Sequence, residues 1–276
     1  MEPEKGDPNV KVGIREVADG FRAVGAMPGD TVIYHGSLSS MGQVEGGPTA
    51  VIDGALAAVD PGGTVAMPTL WFNGKEPLQK PEDFDVKTSP SYVGALSEGF
   101  RQDPRSVRSH HFSHAISAIG ARATELTAGH DRCKPLHTPW SEMAFSDDSP
   151  WGRLYEWNSL YCFIGVTMRV CTMKHYCEAR IVAECLTQAA PERRDALSAR
   201  LVHYGAPGLW PFYNSEATGE LFAQRGLVKT GRIGSATIRG IRTRTLVEET
   251  FALLRNAPQD WLPKPFLDWR AECLGA

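Results

Sequence analysis

Apolar positions from Val10 to Val24 recur near helical spacing, and the chain then turns through Gly25 and Pro28-Gly29-Asp30 into the β-branched run Thr31-Val32-Ile33-Tyr34-His35. That order predicts a helix, a turn and a strand. A loop of small residues, Gly36 to Gly42, leads to an apolar helix from Pro48 to Val59, closed by Pro61-Gly62-Gly63, and Thr64 to Pro68 reads as a second strand. Strand, loop, helix and strand in succession predict a βαβ crossover, with ligand-binding loops at the carboxyl ends of the strands. Further along, helices are expected over 91–101, 121–129, 172–186 and 245–254, and a buried strand over 161–166. Two stretches, 71–89 and 133–150, carry too many prolines and polar residues for regular structure and suit a lid or a binding wall. The fold class predicted is α/β, a central mixed sheet flanked by helices, within one domain spanning 1–276 and bearing those two irregular insertions.

Composition narrows the functions open to such a fold. Apolar residues at 42% and charged residues at 22% of 276 positions describe a globular chain, and no apolar run is long enough for a bilayer. The opening Met1-Glu2-Pro3-Glu4-Lys5-Gly6-Asp7-Pro8 lacks the layout of a secretion signal, so the expected location is the cytoplasm. Six cysteines without CxxC spacing read as reduced core thiols, not as a disulfide framework or a zinc site. The net charge of −3 gives no reason to expect nucleic acid. One acid-free stretch, with Arg225, Lys229, Arg232, Arg239, Arg242 and Arg244, reads as a solvated basic surface before it reads as a phosphate site.

Candidate chemistry gathers at three places. Arg108-Ser109-His110-His111-Phe112-Ser113-His114 holds three of the eight histidines. Each imidazole needs partners, so the run is either a site or a hydrogen-bonded core. As a strand it would set His110, Phe112 and His114 on one face and His111 and Ser113 on the other. In Thr172-Met173-Lys174-His175-Tyr176-Cys177-Glu178, His175 and Glu178 fall three apart on a predicted helix. They can form a carboxylate-steadied general base or a plain helix-surface pair. The Gly36–Gly42 loop offers hydroxyls and amides at the mouth of the crossover. No GxxxxGK[ST], GxGxxG or GxSxG sequence occurs, which argues against a P-loop enzyme and an α/β-hydrolase.

Taken in order from Gly29 to Ala236, seven segments resemble the aminoglycoside N-3-acetyltransferase family, antibiotic N-acetyltransferases that use acetyl-CoA. They are His35 to Gly42 with Gly46-Gly47-Pro48; Met67-Pro68-Thr69; Ser89-Pro90-Ser91 with Gly94; Arg108 to His111 with His114; Ser149-Pro150-Trp151 with Arg153-Leu154; Thr172, His175 and Glu178; and Gly231 to Ala236. The resemblance implies a fold other than the GCN5-type acetyltransferase fold, whose [RQ]-x-x-G-x-[GA] loop is incomplete at Gln43–Pro48. It further implies His175 as general base, Glu178 as its positioning partner, and Thr172 or a nearby amide as oxyanion donor. Ser37, Leu38, Ser39, Met41 and Gly42 would hold acetyl-CoA, with Arg108, Ser109 and His110 near it, and no metal is called for. Direct attack by the amine needs no acyl-enzyme.

Two departures bear on the acceptor. Phe112 stands where the family tends to carry proline, and Arg169 and Lys174 flank the presumed base. Cations there would repel a polycationic aminoglycoside and attract a phosphate- or phosphonate-bearing amine, such as a nucleotide-linked aminophosphonate. Glu142, Asp147 and Asp148 could instead supply an acidic wall. Trp71, Arg169 and Lys174 are thus the candidate substrate-binding residues. The expected partners are a small-molecule amine and acetyl-CoA, with neither nucleic acid nor membrane, and a homodimer remains open. A metal-dependent hydrolase built on the histidines and a non-catalytic binding module are the alternatives.

Overall fold

The computed structural model describes residues 2–75, 79–201 and 209–275. Its strands are β1 (Lys11–Val12), β2 (Thr31–Gly36), β3 (Gln43–Val44), β4 (Thr64–Pro68), β5 (Val107–Arg108), β6 (Ile116–Gly120), β7 (Leu160–Ile164), β8 (Lys229–Ile233) and β9 (Ala236–Arg242). Seven of them form one sheet in the order β5-β6-β4-β2-β7-β9-β8, and β1 pairs with β3 separately. The three central strands, β4, β2 and β7, run parallel. Antiparallel strands extend the sheet on both sides, so it is mixed, as the pattern predicts. The helices are α1 (Ile14–Ala23), α2 (Gly47–Val59), α3 (Ala95–Gln102), α4 (Ala123–Thr127), α5 (Pro150–Glu156), α6 (Met173–Gln188), α7 (Arg194–Ser198), α8 (Ser215–Gln224), α9 (Thr243–Asn256), α10 (Pro258–Trp261) and α11 (Lys264–Cys273).

Strand alternation sorts the core into two layers. Val32 and Tyr34 of β2 point to the face covered by α1, α2 and α3, with Phe21, Val51 and Phe100. Ile33 joins Tyr161, Phe163 and Trp151 on the other face, covered by α5, α6, α9 and α11. Strand β7, Leu-Tyr-Cys-Phe-Ile, is buried throughout, which is why it reads as an unbroken apolar run. All six cysteines are free and buried. Among the described residues no helix is long and apolar enough to cross a membrane.

Two expectations change. The first helix begins at Ile14, not Val10, because Lys11 and Val12 pair in register with Gln43 and Val44. The helix is then opened at Gly13, whose amide donates to the Glu16 carboxylate at 3.0 Å. The histidine run is a strand only at Val107–Arg108. Its remainder folds back, because Nδ1 of His111 accepts from the amides of His114 at 3.0 Å and Ser113 at 3.3 Å, a closure that an extended strand cannot make.

Candidate active site

The carboxyl ends of β2, β4 and β7 open into a cleft of about 940 Å³ lined by His35, Gly36, Met67, Pro68 and Val166, with Ser37, Leu38, Ser39 and Gly42 of the loop after β2. The position follows from the crossover topology. Gly42, at φ +102°, approaches the Val10 carbonyl so closely that a Cβ would lie 2.5 Å from it, and Gly165, at φ +62°, would collide with the Ser40 hydroxyl. Residues 4–7 strap the loop from outside. The Glu4 amide donates to the Gly165 carbonyl at 2.8 Å, and its carboxylate takes the Thr237 amide and Arg239. The Asp7 amide meets the Ser235 hydroxyl, which itself donates to the Ser40 carbonyl.

A second compartment, of about 330 Å³, is lined by Asn73, His114, Trp140, Lys174 and His175. Leu70, Tyr92, Arg169, Val170 and Thr172 line both spaces, so the two are continuous. Thr172, at the head of α6, sits on their boundary. Its amide donates to the Tyr161 phenol at 3.1 Å, and the phenol lies 2.8 Å from Nε2 of His35. The Thr172 hydroxyl lies 3.3 Å from the same nitrogen, and burial holds His35 neutral, its pKa pushed down to about 3.

His175 occupies the first turn of α6, with its side chain 16% exposed. Nδ1 lies 2.7 Å from Oε2 of Glu178, one helical turn on, and that carboxylate is fully buried. Nε2 has no hydrogen-bond partner among the described residues. The ring is caged by Trp140, 4.0 Å away between centroids, and by His114, Phe145 and Phe212. Burial therefore opposes charge on both partners. It drives the imidazole well below its usual range, helped by Lys174. It also pushes the Glu178 carboxyl up to about 8, against the charge of Lys174 and the Trp210 indole N–H. Trp210 donates to Oε2 at 2.8 Å; no motif marks it, and only a buried tryptophan's need for an acceptor could have hinted at it.

The other predicted residues divide. Ser37, Leu38, Ser39 and Gly42 line the larger compartment, but Met41 does not: its side chain is fully buried in the core. Arg108 lies away from the cleft and clamps the 71–89 loop, donating to the Ser89 carbonyl at 2.6 Å and to Thr69. Ser109 is fully buried and bridges the Ile116 amide to Nδ1 of His130. His110 is turned outward to Asp131 at 3.5 Å. Trp71 packs on Phe84 and lines neither compartment; residues 76–78 of its loop lie outside the described residues. The acidic wall is absent as well. Asp147 binds Arg180 and Tyr176, Asp148 binds Ser146 and the Lys134 amide, and neither they nor Glu142 line the site. Arg169 and Lys174 do line it, and neither forms an ion pair among the described residues.

The histidine run is an internal network. His114 engages the Ser113 hydroxyl at 2.9 Å. His130, stacked on His111 at 4.4 Å, joins Ser109 to the Ala144 carbonyl. Among the described residues no group of three or more His, Cys, Asp or Glu is arranged to hold a metal ion; Nδ1 of His111 and of His114 and both nitrogens of His130 are taken by the chain's own groups, while Nε2 of His111 is buried without a partner. The basic stretch is likewise absorbed, with Arg242 forked on Asp30 at 2.9–3.0 Å, Arg239 on Glu4 and Arg225 on Glu249.

Similarity to known proteins gives a family to this mixed sheet, with its cleft at the parallel centre and a histidine–glutamate pair beside it. The family model described as aminoglycoside 3-N-acetyltransferase matches residues 33–255. The chain belongs to this family of acyltransferases. It is 26% identical over 257 residues to the SPbeta prophage-derived aminoglycoside N(3')-acetyltransferase-like protein YokD of Bacillus subtilis (strain 168), covering 82% of this chain and 86% of that protein. It is 28% identical over 252 residues to aminoglycoside N(3)-acetyltransferase IV of Salmonella sp, covering 88% and 87%. With aminoglycoside N(3)-acetyltransferase VII of Streptomyces paromomycinus it shares 32% identity over 59% of each chain. The solved apoenzyme of AAC(3)-IVa has the same fold, with a TM-score of 0.69 at 23% identity over 99% of both chains. AAC-IIIb in binary complex with CoASH superposes at 0.67, with 20% identity over 89% of this chain and 97% of that one. These neighbours set the fold apart from the GCN5 type.

Proposed function

We propose that this protein transfers the acetyl group of acetyl-CoA to the primary amine of a small acceptor, with His175 as general base. One observation carries the reading: Nδ1 of His175 is held by Glu178 while Nε2 remains free, and the ring lines a compartment continuous with the larger cleft. The larger compartment suits the thioester. Leu38, Val44, Met67, Leu70 and Val166 give it apolar walls for a pantetheine arm, Ser37 and Ser39 give it hydroxyls, and Arg169 stands at its edge. The complex of the similar AAC-IIIb with CoASH supports the same use. Acetyl-CoA supplies an activated acyl group there. Nε2 of His175 removes the proton of the attacking amine as the C–N bond forms, the C–S bond breaks as the carbonyl is restored, and the imidazolium returns that proton to the departing thiolate; Glu178 keeps the ring oriented, and the Thr172 hydroxyl, at the boundary of the two compartments, donates to the developing oxyanion.

The acceptor compartment favours an amine that also carries an anionic group. No aspartate or glutamate appears among its described lining residues, whereas Arg169 and Lys174 do. A phosphonate or phosphate would be drawn to these cations, and a polycationic aminoglycoside would meet them unscreened. A nucleotide-linked aminophosphonate is one amine of this kind. The test is release of free coenzyme A from acetyl-CoA with kanamycin-type aminoglycosides and with small aminophosphonates, using wild type and His175→Ala. Turnover confined to the anionic amines and lost in the variant is expected. Turnover that survives in His175→Ala removes the histidine from its role, and preference for the aminoglycosides overturns the charge argument.

A further inference from the structure

The indole N–H of Trp210 and Nδ1 of His175 converge on the same oxygen, Oε2 of Glu178, at 2.8 and 2.7 Å. An indole N–H can only donate, so Oε2 must accept. This restricts where the protons of the pair can be. If the carboxyl were neutral with its hydrogen on Oε2, it would donate to Nδ1, and the imidazole's own hydrogen would sit on Nε2, leaving no lone pair for the acceptor amine. If Oε2 carries no hydrogen, whether the carboxyl is ionised or holds its proton on Oε1, which has no hydrogen-bond partner of its own among the described residues, Nδ1–H donates to it and Nε2 is bare. An oxygen already taking the Trp210 hydrogen is a poor hydroxyl and a good carboxylate oxygen.

We propose that Trp210 is a positioning residue for the acetyl transfer: its N–H holds Oε2 of Glu178 as an acceptor, which fixes the hydrogen of His175 on Nδ1 and presents Nε2 to the amine. The proposal rests on the reading of His175 as the base. The Tyr213 amide also favours the carboxylate, but among the side chains around the pair the task falls to Trp210. His114 beside the ring, and Cys177 and Tyr213 beside the carboxylate, are kept neutral by burial. Lys174 favours the ionised pair, but it lines the acceptor compartment and is open to the ligand. Trp210 is 1% exposed and answers to the pair alone. Its ring also meets Trp140 edge to face at 5.9 Å, and Trp140 covers His175. One side chain thereby braces both the electrostatics and the cage of the base.

The decisive measurement is a pH titration of the His175 ring nitrogens by NMR in ¹⁵N-histidine-labelled wild type and Trp210→Phe, without any substrate. In wild type, the ring should keep its hydrogen on Nδ1, with Nε2 bare on both sides of the Glu178 titration. In Trp210→Phe, which keeps a ring but lacks the donor, Oε2 can carry the carboxyl hydrogen, so an Nε2–H form should appear below the Glu178 midpoint and vanish above it, with that midpoint about one pH unit higher, the tenfold change expected on losing one such contact. Coenzyme A release should follow it: kcat near neutral pH falls about tenfold, recovers at alkaline pH, and leaves the KM for acetyl-CoA unchanged. Identical Nε2 protonation in the two proteins at every pH overturns the proposal, as does a loss of kcat that alkaline pH does not restore. Should Trp210→Phe fail to fold, the wild-type indole proton replaces it: a Trp210 resonance that does not titrate with Glu178 overturns the proposal equally. Turnover retained by His175→Ala would sink the base assignment instead, and the NMR comparison would still decide the role of Trp210.

Discussion

Two groups of histidines lie side by side in this protein, His111, His114 and His130 in one and His175 in the other, with only 5.7 Å between the rings of His114 and His175. The first is denser and more conspicuous, yet its nitrogens mostly serve the chain itself, closing a turn and tying strand to loop. The second has a single imidazole whose one nitrogen is anchored and whose other faces a cleft. Nε2 of His111 is unspent as well, but it is sealed in the core; the lesson is that reactivity needs a lone pair that is both unspent and open to a cleft.

The contrast is tested most severely by His175→Ala. Loss of a positioned base should lower kcat about 10²- to 10⁴-fold, measured by coenzyme A release, with the thermal melt little changed. Glu178→Gln comes next, with kcat about 10- to 100-fold lower at neutral pH. It should also stabilise the fold. The folded carboxyl is pushed up to about 8, so between the ordinary carboxyl range and that value the native state holds a proton that the unfolded chain has released, and stability falls as pH rises through this window. Glutamine removes that loss, and urea unfolding at pH 8 should show a gain of about 1–3 kcal/mol. Arg169→Ala and Lys174→Ala should each raise KM for an anionic acceptor about tenfold, with a flatter dependence on ionic strength; an unchanged KM would detach these cations from the acceptor. His111→Ala should reverse the pattern, costing about 1–3 kcal/mol by stranding two buried amides while kcat stays within a few-fold of wild type.

Much of this contrast is legible in the sequence, but only where local rules govern. The crossover from β2 through α2 to β4 follows from residue periodicity and turn chemistry, and the loop after β2 therefore marks the cleft. His175 and Glu178 are legible because helical spacing alone places them on one face. The histidine run misleads because its conformation is set by side chain to backbone bonds that no period records. Met41 is drawn into the cofactor loop by adjacency, whereas the turn at Leu38–Ser40 rotates it into the core. Trp210 is silent for the opposite reason: it lies 32 positions from Glu178, and only the folded chain brings the two together.

The strap across the cofactor loop has a consequence for the order in which the enzyme comes into being. Asp7 is synthesised 228 positions before Ser235, and Glu4 precedes Thr237 and Arg239 by 233 and 235 positions, yet these are the residues that hold the strap in place. Contacts of such sequence separation cannot close while the chain is still growing through the intervening elements, and they are slow to find even when it is whole. The larger compartment therefore stays incomplete through most of synthesis, and a nascent chain cannot present the finished cleft before β9 has left the ribosome.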